Sequence, residues 1–221
     1  MRSDIVRLCM VKAMTGYIDF VYRTSKVRMV GPHHLLRDPD GEKMVALFWH
    51  GDSYSLYPSL KGLNLFIVVT RDRRGDFISD VCEKYGYHAL RVPDATDGGN
   101  YLFRIRKTIA GETPANIAIT VDGPIGSYHV PKDFALVLAL LTRRKVMPIT
   151  CELKRCIRLS RRWDQFKIPM PLNEIVIRFH EPLTVERGQG DDPFAEIKNV
   201  IVAVMEKHDN DFEHSKAGID N

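Results

Sequence analysis

An α/β fold with a mixed, largely parallel central sheet flanked by helices is what this sequence predicts, and three observations carry the prediction. Short β-rich runs alternate with helical stretches through most of the chain, the order expected of strands crossed over by helices. An apolar run, Met44 to Trp49, reads as a buried strand and ends abruptly in His50-Gly51-Asp52-Ser53. After Cys151 the spacing loosens, and Lys154 to His180 reads as successive strands joined by proline-containing turns, which makes the sheet mixed. With 221 residues, 44% of them hydrophobic, the chain is long enough to bury a full core in one domain.

The elements follow in order. Residues 1–26 read as an amphipathic N-terminal helix preceding a domain over 27–221. Val6, Met10, Ala13, Tyr17, Ile18 and Val21 recur at helical spacing, with Arg2, Arg7, Lys12, Arg23 and Lys26 between them. Such a helix either packs its stripe on the domain or lies in a membrane interface. Arg7, Lys12 and Asp19 interrupt it too often for a spanning segment, which needs roughly 20 mostly apolar residues. Strands are expected at Val27–Val30, Met44–Trp49, Leu65–Val69, His88–Val92, Asn116–Val121, Val146–Thr150, Arg155–Leu159 and Glu174–Phe179. Helices are expected at Asp52–Leu60, Arg74–Tyr85, Asp97–Ala110, Lys132–Thr142 and Pro193–His208.

Charge and cysteine usage narrow the partners. The formal charge is +4, but Glu186 to Asn221 holds nine acidic against four basic residues, so the preceding body carries +9. A basic body suits anionic partners: phosphorylated metabolites, acidic lipid surfaces or nucleic acid. The basic residues are dispersed through strands and turns with no recognised nucleic-acid module, so no nucleic-acid partner is expected. Cys9, Cys82, Cys151 and Cys156 form no CxxC pair and no histidine spacing for zinc; neither a metal nor a disulfide framework is expected. The N-terminus lacks a secretory h-region, which with the cysteines suggests a cytoplasmic setting.

Three strand ends converge in such a sheet on one crevice. They are His50-Gly51-Asp52-Ser53, then Thr70-Arg71-Asp72-Arg73-Arg74-Gly75-Asp76, then Asp122-Gly123-Pro124-Ile125-Gly126. Together they offer a base, guanidinium groups for a phosphate or carboxylate, and a glycine turn whose N–H groups suit an anion. Asp97-Gly98-Gly99, opening a helix, adds possible helix N–H donors. Each block also has a plain structural reading: Asp-Gly-Pro is a common turn, the arginines a solvated face, and Gly98-Gly99 a close-packing device.

The order of these blocks resembles the lysophospholipid acyltransferase superfamily. More closely it resembles a bacterial branch known as a domain of unknown function, in which Trp-His-Gly and Asp-Gly-Pro-x-Gly blocks recur in this order. The likeness runs from about Val27 to Arg187 and includes Ser160-Arg-Arg-Trp-Asp-Gln-Phe-Lys-Ile-Pro169. It implies acyl transfer from a thioester, acyl-coenzyme A or acyl carrier protein, to the hydroxyl of a lysophospholipid or related lipid, with no bound cofactor. His50 is then the general base and a carboxylate orients its imidazolium. Gly51, Ser53, Ser55, Arg71, Arg73, Asp122, Gly123, Pro124 and Gly126 are implied to line the substrate site, with Arg71 and Arg73 on an acceptor phosphate. The superfamily places an aspartate five positions after the histidine, where this chain has Ser55. Asp52, favoured because it is local, and Asp122, from another strand, compete for that role. A lipid acceptor also implies a membrane surface met through the N-terminal helix, on the inner face of the cytoplasmic membrane. Two other classes stand beside this one. One is a non-catalytic lipid- or phosphate-binding relative, motivated by Ser55. The other is a transferase for a phosphorylated sugar or nucleotide, made less apt by the lack of GxGxxG and P-loop motifs.

Overall fold

The computed structural model describes residues 2–92, 105–107, 109 and 115–217. Helix α1 (Arg2–Thr24) leads into β1 (Lys26–Val30) and a 3-10 turn at His33–Leu36. Strand β2 (Val45–Phe48) ends in a 3-10 turn, His50–Asp52, and the short α2 (Ser53–Leu56). Then come β3 (Leu65–Thr70), α3 (Arg73–Tyr85), β4 (His88–Val92) and β5 (Asn116–Thr120). Helix α4 (Asp133–Thr142), β6 (Val146–Leu153), β7 (Cys156–Arg158), β8 (Lys167–Pro169), β9 (Glu174–Phe179) and α5 (Ala195–Ala217) complete the order.

Seven strands form one sheet in the order β1-β9-β6-β2-β5-β3-β4. From β6 to β4 every pairing is parallel. Strand β9 runs antiparallel to β6, and β1 pairs parallel to β9. The sheet is therefore mixed and largely parallel, as the loosened spacing after Cys151 predicts. Strands β7 and β8 stand apart as an antiparallel hairpin.

The period-2 alternation of β2 divides its side chains between two layers. Ala46 and Phe48 face a core shared with Ile18 and Val21 of α1, Leu56 of α2 and Val81 and Cys82 of α3. Val45, Leu47 and Trp49 face the other core, with Leu136 and Leu138 of α4 and Ile201 and Met205 of α5. All four residues of β2 are buried, which accounts for its unbroken apolar sequence.

Several elements differ from expectation. The helix expected at Asp52–Leu60 is a 3-10 turn, one short helix and further turns; Pro58 supplies no backbone N–H to continue a helix. The helix expected at Pro193–His208 starts at Ala195 and runs to Ala217. Of the expected Asp97–Ala110 helix only 105–107 and 109 are described, all helical, and Asp97-Gly98-Gly99 lies outside the described residues.

The stripe read along α1 is divided in two. Val11, Ile18 and Val21 are buried against the sheet, whereas Ile5, Val6, Leu8 and Met10 are each more than half exposed. Arg7 reaches Asp80 at 2.9 Å and Asp76 at 3.8 Å, which ties the first turns of α1 to the start of α3. No described helix is long and apolar enough to cross a membrane.

Candidate functional site

The neighbouring strands β2, β5 and β3 bring two of the predicted blocks into contact. Strand β5 pairs with both others, and its last turn sets Asp122 beside the end of β2. The Asp122 Oδ1 accepts the His50 backbone N–H at 2.9 Å, so the carboxylate fixes the start of the 3-10 turn that carries the histidine. Ser53 adds a bond from its hydroxyl to the His50 carbonyl at 2.8 Å.

The carboxylate on the imidazole is neither of the two expected. His50 Nδ1 lies 2.8 Å from Oδ2 of Asp164, a residue 114 positions later in the loop between β7 and β8. The Asp164 side chain is fully buried, whereas that of His50 is 26% exposed. An ionised carboxylate only accepts, so Nδ1 carries the proton and Nε2 is left with its lone pair. Asp164 is held in turn by Arg162, which donates from Nε to Oδ1 at 2.9 Å and from a terminal nitrogen to Oδ2 at 2.8 Å. The Arg162 guanidinium also lies over the Phe166 ring, 5.2 Å from its centroid.

These contacts set the protonation states. Burial pushes Asp164 up, but the bonds from Arg162 and His50 outweigh it and hold the carboxyl below its usual range. Burial lowers His50 from its usual value, opposed by Asp164 and assisted by the Arg162 charge. The imidazole is therefore a neutral base at neutral pH. Asp122 moves the other way: burial pushes it up to about 7, against the pull of the His50 N–H, with Asp52 and Asp164 adding repulsion.

Asp52 has a different role from the one expected. Its Oδ1 is 2.9 Å from the Lys167 ammonium, and both side chains are buried. The two ion partners tie the histidine turn to the base of the hairpin. A residue two positions after His50 in a tight turn points away from the ring, whereas the hairpin loop meets it directly. Asp122 likewise binds the backbone of His50, not the ring. Ser55 is buried, with its carbonyl accepting the Tyr22 hydroxyl, so it lies beneath the surface and not in the crevice.

The glycines of both blocks are close-approach residues. A Cβ on Gly51 would intrude on the Asp164 carbonyl oxygen, so only glycine lets the hairpin loop settle against the histidine turn. A Cβ on Gly126 would intrude on the Asp122 carbonyl oxygen and touch the Trp163 ring. Trp163 also stands over His50, with ring centroids 5.3 Å apart at 45°. Replacing Gly51 with alanine is expected to cost about 1–3 kcal/mol of stability, the usual range for overpacking, and to displace Asp164 from His50. Urea unfolding that matches the unsubstituted protein would show that the contact tolerates a methyl group.

The remaining predicted residues lie at the rim. Gly123 adopts a φ of 74°, and Pro124 beside it is exposed. Arg71 and Arg73 are exposed at the carboxyl end of β3, one strand beyond β5. Asp72 between them caps α3, accepting the Gly75 N–H at 2.8 Å and the Thr70 hydroxyl at 2.7 Å. The described residues contain no cluster of His, Cys, Asp and Glu suited to a metal ion.

Asp164, Arg162 and Trp163 are the site residues that sequence reasoning missed. They stand together in the Ser160–Pro169 segment, where an arginine two positions before an aspartate is the local trace of the bidentate pair. Nothing local announces that the loop reaches His50.

Comparison with known proteins agrees with this architecture. No family model matches the chain. It is 25% identical over 174 residues to an uncharacterized protein of Rickettsia prowazekii (strain Madrid E), covering 76% of this chain and 78% of that protein. Among solved structures it is similar to the 1-acyl-sn-glycerophosphate (LPA) acyltransferase PlsC from Thermotoga maritima. That match has a TM-score of 0.54 at 14% identity and covers 94% of this chain and 82% of the other. The chain thus shares the fold of that acyltransferase.

Proposed function

We propose that the protein is an O-acyltransferase of the lysophospholipid acyltransferase superfamily, with His50 as general base and Asp164 as the carboxylate that orients it. The observation that carries this reading is the 2.8 Å contact between His50 Nδ1 and a buried aspartate, at the end of a parallel strand in a fold shared with an LPA acyltransferase. In the reaction the acceptor hydroxyl attacks the thioester carbonyl while Nε2 of His50 takes its proton. The tetrahedral intermediate collapses, the carbon–sulfur bond breaks, and the imidazolium returns the proton to the departing thiolate. An ester and a free thiol result, and no acyl-enzyme is needed. Asp164 stabilises the imidazolium during the step, and Arg162 keeps Asp164 ionised.

The acceptor is a lysophospholipid or related lipid alcohol, with Arg71 and Arg73 placed to meet its phosphate. Acyl-coenzyme A or acyl carrier protein supplies the acyl group. The exposed Ile5, Val6, Leu8 and Met10 of α1 suit a peripheral position on a membrane, beside the edge of the site that follows β3. A non-catalytic role was suggested by Ser55 in place of the superfamily's acid; Asp164 supplies a carboxylate from elsewhere in the chain and weakens that suggestion.

The test is a thiol-release screen with both donors against acceptors with and without a phosphate, products being identified by mass spectrometry. Transfer to a lipid hydroxyl is expected, and His50→Ala is expected to abolish it without unfolding the protein. Wild-type thiol release by His50→Ala would remove the histidine from the mechanism.

A further inference from the structure

At the carboxyl-terminal end of α1 the fold holds a leucine in open water and in an unfavourable backbone conformation. Leu172, in the turn that joins β8 to β9, is 72% exposed, and its φ is 57°. That left-handed region suits glycine or asparagine; a branched apolar side chain is disfavoured there, and water disfavours it again. A strained, exposed residue of this kind points to function when its surroundings hold it in place.

The turn is held firmly. Leu172 N–H donates to the Thr24 hydroxyl at 3.3 Å, and Asn173 N–H donates to the Ser25 hydroxyl at 3.0 Å. The buried Asn173 side chain donates to the Arg155 carbonyl at 2.6 Å and accepts the Arg155 N–H at 2.9 Å. Thr24 in turn donates to the carbonyl of Phe20, whose own ring is 49% exposed. The Thr24 hydroxyl thus bonds the backbones of two residues whose apolar side chains are exposed.

Cations flank Leu172. Leu172 lines a shallow cavity of about 410 Å³ together with Lys26, Lys154 and Arg155. Glu174 is the one carboxylate among the lining residues, and it lies 3.4 Å from the Lys154 ammonium. Three cations against one anion leave the rim positive. An exposed leucine flanked by Lys and Arg matches a bilayer with acidic headgroups, where the side chain enters the acyl boundary and the cations meet phosphates. The centre of a protein–protein interface would instead be poor in lysine.

We propose that the Leu172 turn, with Phe20, Lys26, Lys154 and Arg155, is a docking site for an anionic phospholipid bilayer. It rests on the peripheral attachment proposed above, and adds a contact at the opposite end of α1 from Ile5 and Leu8. Helix α1 would then lie along the membrane while its inner face stays packed on the sheet.

Sedimentation of the full chain with vesicles tests this, using phosphatidylglycerol mixed into phosphatidylcholine and phosphatidylcholine alone. The unsubstituted protein is expected to bind the anionic vesicles and not the neutral ones. Leu172→Gly is expected to raise the unfolding midpoint, because glycine accepts the left-handed backbone, while weakening binding about tenfold through the lost apolar contact. Opposite signs in the two measurements separate docking from a structural role. Lys154→Ser and Arg155→Ser are each expected to weaken binding about fivefold. Thiol release with a soluble short-chain acceptor is expected to be unchanged in all three variants, so a failure of docking is distinct from a failure of the acyl-transfer reading. Vesicle binding by all three variants equal to that of the unsubstituted protein would overturn the proposal, as would equal binding of the unsubstituted protein to neutral vesicles.

Discussion

Asp164→Asn is expected to lower turnover by about three to four orders of magnitude, the loss that follows when a catalytic histidine is held in the wrong tautomer. The direction follows from the bonds around the carboxylate. Oδ1 accepts from Arg162 Nε at 2.9 Å and from the Phe166 N–H at 3.3 Å. In asparagine the carbonyl oxygen takes that position, and the amide nitrogen faces His50 and the terminal Arg162 nitrogen, whose bond to Oδ2 is lost. The amide then donates to Nδ1, which places the ring proton on Nε2, where an acceptor hydroxyl needs a lone pair. The variant keeps nearly the same shape but gives up one bond from Arg162, so folding loses about 1–3 kcal/mol and the larger loss falls on kcat, not on KM. Steady-state thiol release is the measurement, and a kcat within tenfold of that of the unsubstituted protein would remove Asp164 from the proposed mechanism.

Asp122→Asn is expected to stabilise the protein in mildly alkaline solution and to leave it unchanged in acid. The group binds its proton more tightly when folded, with a pKa raised from 3.8 to about 7 by burial. Between these values the folded state holds more protons than the unfolded state, so this group makes stability fall as pH rises from about 4 to about 7. Above that range the cost is constant. Asparagine keeps an acceptor for the His50 N–H and removes the ionisation. At roughly 1.4 kcal/mol per unit, the gain at pH 8 is at most about 4 kcal/mol. Urea unfolding at pH 4 and pH 8 measures it; a difference between the proteins that is the same at both values would show that Asp122 does not carry this proton. Asp122→Ala, which also removes the acceptor, is expected to destabilise at both.

The comparison of these two carboxylates shows what a single sequence makes legible. Strands β4 and β9 lie at the predicted bounds, His88–Val92 and Glu174–Phe179; for β9 the reason is that its buried β-branched run is written into consecutive residues. The meeting of His50 with Asp122 is legible for a similar reason, since parallel neighbours deliver their carboxyl ends to one edge. The hairpin contact is not legible. Asp164 reaches His50 across 114 residues from a loop with no periodicity, and the nearer Asp52 is committed to Lys167. The division of α1 into a buried and an exposed portion is also hidden, because apolar residues look alike in sequence whether they meet a core or open water.

The origin of Asp164 in a late hairpin bears on when the His50–Asp164 pair can assemble during synthesis. A nascent chain that has released only residues up to the turn after β5 already contains His50, Gly51 and Asp122, yet lacks the Asp164 carboxylate that holds the imidazole in one tautomer. The pair forms only after the β7–β8 loop has emerged and settled onto Gly51. Under the acyl transfer proposed above, an incomplete chain therefore carries the base without the carboxylate that orients it.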